Sequence, residues 1–276
     1  MNIQAITQLL INVGIEEQEA KKEVKMLLEH FCNYSEKDEI LGHKLTEEQL
    51  KTVQDKVEAR IKDRTPIQYL IGEAYFMGKY YKVTPDVLIP RDETELLVTK
   101  AIEIINENSL ENVLDIGTGS GCIACTIAER TDAVVLGVDI SSDALRIALD
   151  NVTKLGINNR AVFRKSDLFS KIRDNETFDM IVSNPPYIPI GTELEPEVKH
   201  EPKVALFAEE NGLQLYRKIV SEAPKYLNRG GWLIFELGIG EAENVKTFMS
   251  EYFENVNVIK DLAGIDRVIY GKLLEA

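Results

Sequence analysis

Residues 112–121 read NVLDIGTGSG. Asn112 to Ile116 make a short apolar strand, and Gly117, Gly119 and Gly121 then alternate through a loop. A helix over 121–130 follows. Glycines at this spacing let the backbone turn tightly and let a ligand come close to it. The strand–loop–helix unit then repeats along the chain. AVVLGVD (133–139) predicts a second strand and 142–155 a helix. AVFRKSD (161–167) predicts a third strand and FDMIVSN (178–184) a fourth. A helix over 209–227 leads into GGWLIFELG (230–238), and a helix over 241–252 leads into VNVIKD (256–261) and RVIYGKL (267–273). Strands alternating with helices indicate an α/β fold with an open, mainly parallel sheet covered on both faces. The link from Leu262 to Asp266 is too short for a helical crossover, so the last two strands are expected to run antiparallel.

Upstream of this region the period changes. Ile3, Ile6, Leu9, Leu10 and Val13 fit one helical stripe, and Val24, Leu27, Leu28 and Phe31 fit another. Thr46 and Gln49 form a capping-box pattern ahead of Leu50, Val53, Val57 and Ile61, and Pro66 ends that helix. Residues 67–90 are dense in aromatic and β-branched side chains, punctuated by Gly72 and Gly78, which suits a β-hairpin linker. The expected division is a helical domain over 1–75, a hairpin linker over 76–90 and the α/β domain over 91–276.

A chain of 276 residues fits two domains, and 44% hydrophobic with 28% charged residues is an ordinary globular composition. The net charge of −14 opposes tight nonspecific binding to nucleic acid, so no DNA partner is expected. The N-terminal residues lack the pattern of a signal peptide, and no run of eighteen apolar residues occurs. The expectation is therefore a cytoplasmic protein with no membrane partner, and a monomer. The cysteines are Cys32, Cys122 and Cys125, and the histidines are scattered. Zinc would need a second ligand pair beside the C-x-x-C, so Cys122 and Cys125 read as small packing residues and no metal is expected.

The chemistry concentrates at strand ends, where open α/β sheets bind their ligands. The loop spacing is G-x-G-x-G, which differs from the dinucleotide pattern G-x-G-x-x-G. Asp115 precedes the loop and suits a ligand with a positive end, such as the amino acid part of S-adenosylmethionine. Asp139 ends the second strand and can accept both hydroxyls of an adenosine ribose. Asp167 ends the third, where an acid can accept from an adenine amino group while Leu168 or Phe169 packs on the ring. The fourth strand runs into Asn184-Pro185-Pro186-Tyr187. Two prolines hold this turn extended. The Asn184 side-chain oxygen and the Pro185 carbonyl can each accept one N–H of a planar NH2 group. Tyr187 offers that group an aromatic face.

DIGTGSG, VDIS and NPPY, in this order, resemble the class I S-adenosylmethionine-dependent methyltransferases. The NPPY element there implies transfer to a planar amide or an exocyclic amine. VLIPRDETELLV (87–98), TPIQYLIG (65–72), HEPKVALFAEENGL (200–213) and DLAGIDRVI (261–269) are similar to the release factor glutamine N5-methyltransferases of the HemK/PrmC family. The resemblance covers most of the chain. Asp92 departs from it, since the family usually has proline there.

The resemblance implies a helical substrate-docking domain and a Rossmann-like, seven-stranded, mainly parallel sheet with an antiparallel last strand. It implies S-adenosyl-L-methionine as cofactor and class 1 peptide chain release factors as partners, methylated on the glutamine of their GGQ loop. By motif position, Gly117, Thr118, Gly119, Ser120, Gly121 and Asp139 hold the cofactor, with Asp115, Asp167, Leu168 and Asn184 beside it. Asn184, Pro185, Pro186 and Tyr187 hold the glutamine, and Asn184, Pro185 and Tyr187 carry catalysis. Arg91 and Glu93 fall in the signature segment without an assigned role. Alternatives are an N6-adenine methyltransferase, which would need a basic groove and base flipping, and a glutamine methyltransferase acting on a ribosomal protein. An NAD-dependent oxidoreductase is opposed by the glycine spacing.

Overall fold

The computed structural model describes residues 2–274. The chain divides into two compact units. One comprises the residues up to Glu73 together with Leu194–His200, and the other comprises Ala74–Glu193 and the residues from Glu201 onward.

The first unit contains α1 (Ile3–Asn12), α2 (Glu17–Cys32), α3 (Glu36–Ile40), α4 (Glu47–Asp63) and α5 (Ile67–Ile71). The apolar stripes meet as expected: Ile6 and Leu10 of α1, Val24 and Leu27 of α2, and Val53 and Val57 of α4 share one buried core. Thr46 and Gln49 form the reciprocal cap of α4, at 3.1 and 2.9 Å. α3 is short and carries no buried residue, so it left no periodic signal.

Within this core lies an ionic cluster that periodicity did not reveal. Arg60, 1% exposed, donates from Nε and Nη2 to the Glu23 carboxylate at 3.0–3.2 Å. Its Nη2 also pairs with Glu197 at 2.9 Å, and Arg64 pairs with the same carboxylate at 2.6 Å. His200 Nε2 lies 2.6 Å from the Asp63 carbonyl oxygen. These contacts stitch Leu194–His200 into the helical unit, far from where sequence order puts it.

The hairpin strands are β1 (Glu73–Phe76) and β2 (Lys79–Lys82). The turn between them has φ 50° at Met77 and 90° at Gly78, the left-handed pair a two-residue hairpin requires. Met77 is anchored by its N–H to Glu95 at 2.7 Å and by the Arg130 guanidinium on its carbonyl. Residues 83–93 continue without helix or strand.

The second unit contains α6 (Thr94–Asn108), β3 (Asn112–Ile116), α7 (Cys122–Arg130), β4 (Val134–Asp139), α8 (Ser142–Leu155), β5 (Ala161–Lys165), β6 (Phe178–Ser183), β7 (Ile188–Pro189), α9 (Lys203–Leu206), β8 (Phe207–Ala208), α10 (Gln214–Glu222), β9 (Leu227–Glu236), α11 (Ala242–Met249), β10 (Phe253–Lys260) and β11 (Asp266–Leu273). Seven strands form one sheet in the order β10-β11-β9-β6-β3-β4-β5. β11 is antiparallel to both of its neighbours, while the pairs joining β9, β6, β3, β4 and β5 are parallel. This is the Rossmann-like sheet expected, with its last strand reversed.

The central strands are apolar on both faces. Val113, Val135 and Val182 pack with α6, α7 and α8, whereas Leu114, Leu136 and Ile181 pack with α10 and α11. Successive residues point to opposite faces of a sheet, so a continuous apolar run marks a strand covered twice. The helix expected over 209–227 is shorter, at Gln214–Glu222. Glu210, Asn211 and Gly212 all have positive φ and break the helix before it starts, and Pro224 lies just past its end. Cys122 and Cys125 are buried free thiols on α7, and burial pushes Cys122 up to about 12. Among the described residues, no helix is long and apolar enough to cross a membrane.

Candidate active site

The chain leaves β3 toward β4 on one side and returns to β6 on the other, so β3 has β4 and β6 as its two parallel neighbours. Such a reversal of strand order opens a crevice beyond the strand ends. The crevice is bordered here by the glycine loop after β3 and the NPPY turn after β6. Ser183 locks the two ends together, its hydroxyl donating to the Ile116 carbonyl at 2.7 Å.

The loop takes its shape from its glycines: φ is +76° at Gly117, +54° at Gly119 and +79° at Gly121. Asp139, at the end of β4, holds the loop from beside it. One carboxylate oxygen accepts the Gly119 N–H at 2.9 Å and the other the Ser141 N–H at 2.8 Å. A carboxylate has about four lone-pair sites, so Asp139 keeps accepting capacity. Burial pushes its carboxyl above the usual aspartate range. Ser141 caps α8 by accepting the Ala144 N–H at 3.1 Å, which leaves Asp139 out of that duty.

The crevice brings together Gly117, Gly119, Asp139, Asp167, Leu168 and Asn184, and Pro185 and Pro186 line it too. Thr118, Ser120 and Gly121 are in the loop but do not line it. Thr118 and Ser120 are buried, and a Cβ at Gly121 would meet Ala148 and Phe163 at 3.1 Å, so this glycine serves helix-to-sheet packing. Leu168 has φ 46°, a rare conformation for a branched residue, and the Ser166 hydroxyl holds its carbonyl at 2.7 Å.

Asp115 lies beneath the loop and is fully buried. The Thr118 hydroxyl donates to its Oδ2 at 2.6 Å, while its Oδ1 is buried with no hydrogen-bond partner. Burial pushes its carboxyl up to about 7.

The NPPY turn is supported from below. A Cβ at Gly212 would run into the Tyr187 carbonyl, so only glycine, here at φ +94°, lets this backbone approach. The Tyr187 ring packs against Gly238, where a Cβ would come within 2.9 Å of it. Tyr187 does not border the crevice directly, and burial raises its hydroxyl well above the usual range. Asn184 donates from Nδ2 to the Thr94 hydroxyl at 3.3 Å. Thr94 in turn donates to Glu236 at 2.6 Å, and the Tyr187 hydroxyl points to the same carboxylate at 3.5 Å.

Arg91 pairs with Glu201, which is buried and also accepts the Ile89 N–H at 3.0 Å. That bond fixes residues 89–91 beside Pro202, which lines the crevice. Glu93 lies 3.6 Å from Arg267. Sequence reasoning did not single out Thr94, Glu201 or Glu236. The available signal for Glu236 was a lone carboxylate closing the apolar run WLIFE.

Residues 3–72 match the family described as PrmC N-terminal domain, and residues 93–201 match the one described as Methyltransferase small domain. A release factor glutamine methyltransferase of Geobacter sulfurreducens is 44% identical over 220 residues, covering 78% of this chain and 76% of that protein. The release factor glutamine methyltransferase of Thermodesulfovibrio yellowstonii is 39% identical over 243 residues, covering 86% of this chain and 84% of that protein. Among solved structures, a T. Thermophilus 16S rRNA methyltransferase in complex with AdoMet and guanosine superposes with a TM-score of 0.55 at 19% identity, over 73% of this chain and 50% of that one. The last likeness concerns the fold. The two long sequence matches settle the membership: the chain belongs to the release factor glutamine methyltransferases.

Proposed function

We propose that this protein transfers the methyl group of S-adenosyl-L-methionine to the side-chain amide nitrogen of the glutamine in the GGQ loop of class 1 peptide chain release factors. The observation that carries the reading is the rigid NPPY turn beside a glycine-loop crevice, in a chain of this family. The residues present fit the cofactor. The loop offers backbone where side chains are absent, and Asp139 has accepting capacity left for a diol, while Asp115, buried beneath the loop, supports it through Thr118. Asp167 and Leu168 supply the edge of the crevice for a base.

When bound, S-adenosylmethionine supplies a methyl group on a sulfonium, which makes it an electrophile. The protein's task is the nucleophile. An amide nitrogen is weak because its lone pair is shared with the carbonyl. Asn184 Oδ1 and the Pro185 carbonyl accept the two N–H bonds, hold the nitrogen in place and stabilise the positive charge that grows on it in the transition state. A nitrogen so alkylated is strongly acidic, so its proton leaves to water without a dedicated base. Pro185 and Pro186 keep both acceptors from relaxing away.

The helical unit, the residues up to Glu73 together with Leu194–His200, serves to dock the release factor, and the second unit carries the catalytic site. The reaction runs in the cytoplasm, on a monomer, with no DNA or membrane partner. Incubation with labelled methyl donor marks a purified release factor at the GGQ glutamine, located by peptide mass, and leaves DNA unlabelled. Label on DNA alone would sink this reading. Asp139→Ala weakens cofactor binding by about 10–100-fold, the loss of hydrogen bonds to a charged group. Unchanged affinity by calorimetry would remove Asp139 from that role.

A further inference from the structure

We propose that Thr94 and Glu236 are positioning residues that fix which end of the Asn184 side-chain amide faces the substrate. The catalytic consequence rests on the function proposed above, whereas the orientation itself does not. Glu236 is 1% exposed at the end of β9 and accepts the Thr94 hydroxyl at 2.6 Å. A threonine hydroxyl has a single proton. With Glu236 ionised, that proton is committed to the carboxylate, and Thr94 Oγ1 can only accept from Asn184. The 3.3 Å contact from Asn184 Nδ2 is that bond. The amide nitrogen is therefore turned toward Thr94, and Oδ1 is left to accept from an incoming NH2 group.

A protonated Glu236 reverses the chain. It can donate to Thr94, whose own proton then seeks Asn184 Oδ1. The amide flips and presents two donors to a substrate that also brings donors. The groups facing Glu236 are Thr94 and Glu93 at the start of α6, Tyr187 of the NPPY turn, Arg267 of β11 and Cys122 of α7. Burial outweighs the Thr94 bond and Arg267 and pushes Glu236 up to about 7. The productive orientation is the ionised one, so it is gained as pH rises through about 7 and lost below it. Asp115 and Glu241 are also raised to about 7, so the role of Glu236 must be isolated through Thr94.

Two arms test this. In the free enzyme with asparagine-selective nitrogen-15 labelling, the Asn184 side-chain amide signal, assigned by its loss in Asn184→Ala, shifts with pH around a midpoint of about 7. The shift disappears in Thr94→Val and persists in Thr94→Ser. A wild-type signal that ignores pH overturns the inference. In methylation assays, Thr94→Val lowers kcat about tenfold, the loss of one hydrogen bond, with KM for the methyl donor unchanged, and Thr94→Ser restores it. Glu236→Gln flattens the acid limb of kcat/KM. Wild-type turnover in Thr94→Val overturns the inference equally. Should the wild type fail to label a release factor, the proposed function falls, and the resonance arm alone decides the orientation.

Discussion

Asn184→Ala lowers turnover by about 10²–10³ while the methyl donor binds as it does to the wild type; losses of this size follow removal of one transition-state hydrogen-bond partner from a preorganised site. The substitution deletes the Oδ1 acceptor and leaves the Pro185 carbonyl in place, so one substrate N–H keeps its partner and the other does not. It also leaves the Thr94 hydroxyl without its Nδ2 donor, although that hydroxyl still donates to Glu236. The backbone of the turn is held by its prolines and by the Gly212 approach, so the fold tolerates the change. Single-turnover methylation with saturating cofactor separates the step from product release. Equal rates in the two proteins would show that Asn184 does not grip the nitrogen.

Arg60→Ala destabilises the helical unit by about 3–5 kcal/mol, the cost of leaving buried charge without its counter-ion. Arg60 bonds Glu23 and pairs with Glu197, and Glu23 is itself only 5% exposed. Removing the guanidinium strands the Glu23 carboxylate next to an apolar core, while Glu197 keeps its pair with Arg64. Arg64→Ala is the control. Its pair with Glu197 is partly solvated, at 29% and 23% side-chain exposure, and such pairs contribute about 0–1 kcal/mol. Hydrogen exchange of the α4 amides reads the difference within the unit concerned. Protection unchanged in Arg60→Ala would mean that water or rearrangement neutralises the cluster.

Much of this architecture was legible in the chain. The central strands declared themselves because apolar runs such as VLDI and MIVS are covered on both faces. The loop glycines and the acid ending β4 stood at strand ends, where position alone carries meaning. Periodicity could not show polar contacts made across long stretches of chain. Glu236 reaches Thr94 across 142 positions, and Glu197 joins Arg60 from the far side of the catalytic sequence. Asp115 shows a different limit. The sequence placed an acid before the loop, and the structure puts it beneath, bonded to Thr118. Which way a strand-end side chain points is decided by the turn that follows it.

The residues 194–200 give the molecule an awkward inheritance. A recombination event that exchanged only the residues up to Glu73 between relatives would bring a foreign Arg60 to a resident Glu197. The helical unit is thus one body in space and two pieces in the gene. A chimaera carries the native ionic cluster over whole when the heptapeptide travels with the helices.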